Sequence, residues 1–173
     1  MNFFSYIASF IATVLGLCEP FGKKMQTILI FNFAGNFLVG LSYFLTKGYS
    51  GAAICCVACV QVFINYIFDI KNQKVPKWLI ICYAIAFAAV NLVTFSRWYD
   101  ILSLTAAMLF VISVAQSDAR YYRILYWLNS TVWIFYDFLS GAYGNLLTHI
   151  ILFAATLIAI IIRDSKKVKK NKD

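Results

Sequence analysis

Charge is scarce in this chain. Asp, Glu, Lys and Arg make up 13% of its 173 residues, while apolar residues reach 62% and aromatics 18%. A soluble domain carries about 25% charged residues, so an ordinary water-exposed fold is excluded and a bilayer is the solvent that fits. Histidine is nearly absent: His149 stands alone, which rules out a histidine metal cluster. No glycine-rich phosphate loop, H-E-x-x-H helix or G-x-S-x-G elbow occurs, so the chain is not expected to be an enzyme and no cofactor is implied. Cys56-Val57-Ala58-Cys59 spells C-x-x-C, but no second pair completes four ligands, and no metal site is expected. The five cysteines fall in or beside apolar runs and read as free thiols, not as a disulfide framework. Met1-Asn2 offers no side-chain cation and no small-x-small cleavage site follows, so the first apolar run is expected to stay as a span.

The net charge of +8 is no sign of nucleic acid, because the cations sit between apolar runs and do not line a groove. Cutting at polar and glycine punctuation predicts an all-α membrane bundle of seven spans: Phe3 to Cys18, Gln26 to Thr46, Gly51 to Ile70, Trp78 to Phe95, Ile101 to Gln116, Tyr121 to Ser140 and Ala142 to Ile162. Thirteen of the fifteen cations, among them Lys23, Lys24, Arg120 and Arg123, then fall on one side of the membrane, against Lys47 and Arg97 on the other. Cytoplasmic loops retain positive charge, so the N-terminus is expected outside and the C-terminus inside. The basic tail 163–173 is expected either to meet anionic headgroups, with each of its five lysines contributing about 1 kcal/mol, or simply to mark topology.

An offset of 93 aligns Asn36, Val39, Tyr43, Gly48 and Gly51 with Asn129, Val132, Tyr136, Gly141 and Gly144, the shared pattern being N-x6-Y-x4-G-x2-G. This predicts two parallel three-helix repeats, residues 3–70 and 101–162. A linker helix at 78–95 carries the chain back between them in a 3+1+3 plan. The two repeats, their short Gly-Tyr-Ser-Gly and Gly-Ala-Tyr-Gly turns and the stretch from Tyr126 to Tyr136 resemble the YgjV family of bacterial inner-membrane proteins. The resemblance implies a multi-pass inner-membrane location and kinship with the SWEET and PQ-loop superfamily, whose carriers pass a solute between two triple-helix bundles. The superfamily's proline-glutamine pair is missing: Glu19-Pro20 lies past the first span, and Ile112-Ser113 occupies the aligned place in the second repeat.

Polar side chains at bilayer depth are costly unless paired or wetted, and so they mark candidate sites. Asn36 with Tyr43 and Asn129 with Tyr136 each return to one helix face after seven residues, as a solute site or as interhelical glue. Trp133 lies too deep for an interfacial anchor and is a candidate stacking surface for a ring. Gln61, Asn65 and Asp69 form a stripe at i, i+4 and i+8, either lining a wet cavity or sealing a packing seam. Asp137 is a carboxylate within an apolar span. It pairs either with His149, as a proton or cation site, or with Arg97 or Lys47 at the surface. The function expected is a small-solute carrier or facilitator working by alternating access. The alternative is a non-transporting receptor or scaffold on the same fold, and either plan is compatible with a homo-oligomer.

Overall fold

Seven α-helices are described: α1 Phe3–Cys18, α2 Met25–Leu45, α3 Tyr49–Ile70, α4 Lys77–Thr94, α5 Asp100–Val114, α6 Ala119–Ser140 and α7 Tyr143–Ala159. The structure is a computed structural model that describes residues 3–45, 49–95, 97–140 and 143–164; no strand occurs among them. Each helix begins within two residues of the start read from the sequence. Two short turns were not expected: a 3-10 turn, Glu19–Phe21, after α1 and a π-helical turn, Ile160–Asp164, after α7.

Local chemistry sets the breaks. Pro20 sits in the first positions of the 3-10 turn, where its missing N–H costs nothing. After α3, Asn72 takes the left-handed conformation with φ 52. Its N–H reaches Asp69 O at 3.0 Å, while Gln73 N reaches Phe68 O at 2.9 Å, the paired bonds that close a helix C-terminus. Pro76 then precedes α4 in an extended conformation. At the start of α6 the Asp118 carboxylate accepts the Arg120 backbone N–H at 2.8 Å, satisfying a donor the helix leaves orphaned.

Residue pairs across the bundle give the directions of the helices. Phe33 meets Phe63 and Gly40 approaches Cys55, so α2 and α3 are antiparallel. A Cβ on Gly40 would lie 2.9 Å from Cys55 Cβ, which is why a glycine stands at this close approach. Tyr136 with Tyr99 and Asn129 with Ala106, Trp127 with Phe153 and Trp133 with His149, and Phe87 with Phe110 and Asn91 with Ser103 make α5/α6, α6/α7 and α4/α5 antiparallel as well. In contrast α3 and α5 run parallel, since Gln61 pairs with Val111 and Asn65 with Val114. α2 packs between α1 and α3, α6 between α5 and α7, and α4 bridges α3 and α5. One end of the bundle therefore gathers Lys23, Lys24, Lys71, Arg120 and Arg123, and is called the basic end below.

Two buried clusters fill the interior. Met25, Ile28, Leu29, Val62, Val114, Ala119 and Tyr122 join α2, α3, α5 and α6 toward the basic end. Ala58, Tyr83, Phe87, Ala107 and Val111 join α3, α4 and α5. The exterior is apolar too: Val93 is 88% exposed and Phe4 72%. Such a surface suits lipid and not water. Met25–Ser42, Ala52–Ile70 and Leu146–Arg163 are long and apolar enough to cross a membrane, and α1, α4 and α5 carry shorter apolar stretches.

Candidate functional site

With apolar side chains both outside and in the two buried clusters, the polar groups buried among them stand out. They form two centres joined by a seam. The first lies on α5, α6 and α7, away from the basic end. Asp137, 1% exposed, holds His149 through a contact of 2.6 Å between Oδ2 and the ring Nδ1. A carboxylate only accepts, so the Nδ1–H donates when Asp137 is ionised, which leaves Nε2 to exchange a proton or meet a ligand. The Trp133 ring lies flat on the imidazole, 5.4 Å between centroids and 6° between planes, and fixes its orientation from the other side. Trp133 in turn meets the Tyr136 ring edge-on at 5.4 Å, and Tyr136 meets Tyr99 at 5.9 Å. Arg97 donates to Tyr99 Oη at 2.6 Å, and its backbone N–H donates to Asp100 Oδ2 at 2.7 Å. Of the partners weighed for Asp137, the structure joins it to His149; Arg97 contacts Tyr99 and Asp100, and Lys47 lies outside the described residues.

The second centre lies at the basic end and was not read from the sequence. Glu19 is 3% exposed, in the 3-10 turn between α1 and α2. Its Oε1 accepts from Asn32 Nδ2 at 2.8 Å and from the Tyr122 hydroxyl. Asn36 Nδ2 donates to Asn32 Oδ1 at 2.9 Å, so a bonded chain runs from α2 through Asn32 to the carboxyl and on to α6. Arg123, itself 3% exposed, donates from Nη1 to Gly22 O at 3.1 Å and to Pro20 O at 3.5 Å, clamping the turn onto α6. Gly22 is required here, because a Cβ would stand 2.6 Å from Ile28 Cγ1. The ring of Tyr126 stacks on that of Tyr122 at 5.4 Å. Burial pushes the Glu19 carboxyl up from its ordinary value of 4.5 to about 8, against the opposing bond from Asn32.

The signals for this centre were present but looked ordinary. Glu19 is the sole glutamate of the chain, and Asn32 lies one turn before Asn36 on the same face. Glu19 enters the sequence pattern only as the neighbour of Pro20 past the first span, and nothing local announces Tyr122, 103 residues away.

Between the centres, Gln61 Nε2 donates to Val111 O at 3.1 Å and Asn65 Nδ2 to Val114 O at 2.9 Å, both across the α3–α5 contact. Their oxygens, Gln61 Oε1 and Asn65 Oδ1, are buried without a partner. Asp69, the third member of the stripe, shares a hydrogen bond with Gln26. Asn129 Nδ2 donates to Ala106 O at 2.6 Å across α5 and α6, whereas its repeat counterpart Asn36 bonds within α2. The two asparagines belong to separate networks, and the side chain of Tyr43 lies outside the described residues. All five cysteines are unpaired, and no cluster of three or more metal-binding side chains occurs among the described residues.

Long apolar helices, an exterior of lipid-like character and buried ionisable groups inside the bundle define an integral membrane protein. The model of a bacterial inner membrane protein family, Imp-YgjV, matches residues 3–167, and the chain belongs to that family. No curated protein and no solved structure matches it.

Proposed function

We propose that the protein is a carrier or facilitator for a small solute, working by alternating access between two three-helix bundles, with seven spans, the N-terminus outside and the C-terminus inside. The observation that carries this reading is the Asp137–His149 pair: a carboxylate and an imidazole in contact inside an apolar bundle, with Trp133 stacked on the ring. Ionisable groups at such depth are expensive, and histidine exchanges protons readily near neutrality. The pair supplies a proton or cation site, and Trp133, Tyr136 and Asn129 lie on the same helix to supply ring stacking and hydrogen bonds.

The 3+1+3 plan has independent support in the element spacing. α6 begins 94 residues after α2 (25 to 119), and α7 begins 94 after α3 (49 to 143). α4 packs on α3 and α5 and serves as the linker, the organisation expected from the kinship with SWEET-like carriers that the family resemblance implies. The Gln61 and Asn65 oxygens, buried on the face where the two bundles meet, are the acceptors a wetted pathway would satisfy.

Thermal unfolding of the purified protein against millimolar sugars, nucleosides, vitamins, amino acids and ions tests the reading, because a ligand that binds the folded state raises Tm. At ten times Kd the gain is about 1.4 kcal/mol. The expected result is a Tm rise with one chemical class that Trp133→Ala removes, followed by uptake of that class into proteoliposomes. Binding without uptake would overturn the carrier reading in favour of a receptor.

A further inference from the structure

The basic-end centre has a property that the carrier reading does not use. Glu19 Oε1 accepts both available donors, Asn32 Nδ2 at 2.8 Å and the Tyr122 hydroxyl, while no described residue donates to Oε2. That division matches a neutral carboxylic acid, in which the carbonyl oxygen accepts and the other oxygen carries the proton. A buried carboxylate would instead call for a cation in contact. None of the described residues forms an ion pair with Glu19, and the nearby Arg123 guanidinium donates to the Pro20 and Gly22 carbonyls.

We propose that Glu19 is a proton-binding site that fastens the two halves of the molecule at the basic end when protonated and releases them when it ionises. The fastening is physical. Glu19 and Asn32 belong to the first half of the chain, and Tyr122 and Arg123 to the second. The turn is seated among α1, α2 and α7 as well as α6. Loss of the proton leaves a charge in a place where only two neutral donors face it. The bare carboxylate is relieved by moving the turn toward water, which withdraws the bond to Tyr122 and frees the clamped carbonyls. Burial, which raises this carboxyl to about 8, puts the change within reach of a cell's working pH.

The other titratable and charged groups around the turn do not duplicate the switch. α1 contributes Cys18, and Lys23 and Lys24 precede α2. α6 contributes Asp118 at its N-terminus, then Arg120, Tyr122, Arg123 and Tyr126. α7 brings only Tyr143 and His149, both in its half away from the basic end, with Arg163 and Asp164 in the turn that follows. Of these, Asp118 already caps α6 through the Arg120 N–H.

The test needs neither a substrate nor transport, so its failure and that of the carrier reading are separable. Spin labels at Lys24→Cys and Arg120→Cys, both exposed positions, are placed in a chain freed of its five native cysteines and reconstituted in phosphatidylcholine nanodiscs. Distances are then read from about pH 5 to about pH 9. The expected result is one short distance population at the acid end and a longer one growing as pH rises, while Glu19→Gln, which mimics the neutral acid, keeps the short population throughout. Infrared difference spectra are expected to show a protonated-carboxyl band that titrates with the distance change and is missing in Glu19→Gln. Distances independent of pH, or the same pH response in Glu19→Gln, would overturn the proposal. So would a carboxyl band unaltered by the substitution.

Discussion

The two polar centres are built from similar chemistry but are tied into the fold in opposite ways. Asp137, His149, Trp133, Tyr136, Tyr99 and Asp100 all come from the second half of the chain, on α5, α6 and α7 or the turn before them. Glu19 and Asn32 come from the first half and are joined to Tyr122 in the second. A change at the first centre is felt inside one three-helix unit, whereas a change at the second alters how the two units meet. Charge is handled differently as well: His149 stands in contact with Asp137, while Glu19 has only neutral donors. A paired carboxylate tolerates burial when charged; one served by neutral donors favours its neutral form.

The largest effect expected from this contrast is the pH dependence that Glu19 contributes. The Glu19 carboxyl rises from 4.5 unfolded to about 8 folded, so the folded state holds its proton more tightly. The sign follows: its contribution to stability is complete below about pH 4.5 and is lost as pH rises through about 8. Over that window wild type is expected to lose on the order of 4 kcal/mol that Glu19→Gln does not lose, read as the difference between their Tm-against-pH curves. Parallel curves would remove the distinction between the centres.

Next in size is His149→Ala, expected to cost about 2–3 kcal/mol because it takes the imidazole from a buried carboxylate. Its cost should add to that of Glu19→Gln within about 0.5 kcal/mol, since the two centres share no partner. A larger coupling in chemical or thermal unfolding would join what the comparison separates. Gly22→Ala drives a methyl group into the buried Ile28 side chain and is expected to cost about 2 kcal/mol, loosening the basic end and leaving Asp137–His149 intact. The smallest effect is that of Asn129→Ala, about 1 kcal/mol for one interhelical bond to Ala106 O. That variant should keep its fold, so a loss of solute binding in it reports on the site and not on unfolding.

The helices themselves were legible in the sequence, because an apolar run bounded by Pro20, Asn72 or Pro76 has few ways to fold in lipid. The Asp137–His149 contact was legible as one of two options, since a lone histidine and a spanning carboxylate leave few partners. The bonds of Gln61, Asn65 and Asn129 to backbone carbonyls on α5 were not, because every helix carries carbonyls and only the packing selects one. Glu19 stayed hidden for a related reason. Its burial depends on a 3-10 turn folding back under α6, a tertiary event that leaves no periodic trace in the residues around it.

Alternating access makes one demand that either a receptor or a rigid scaffold fails to meet: the two ends of the bundle must not open together. The most direct measurement is cysteine labelling in a chain lacking its native cysteines, with one reporter beside Glu19 and another beside His149, in proteoliposomes exposed to membrane-impermeant reagent. The account predicts opposed changes, with the basic-end reporter gaining reactivity under the pH or solute that shields the reporter near His149. Reactivities that both stay fixed, or that rise and fall together, would contradict it.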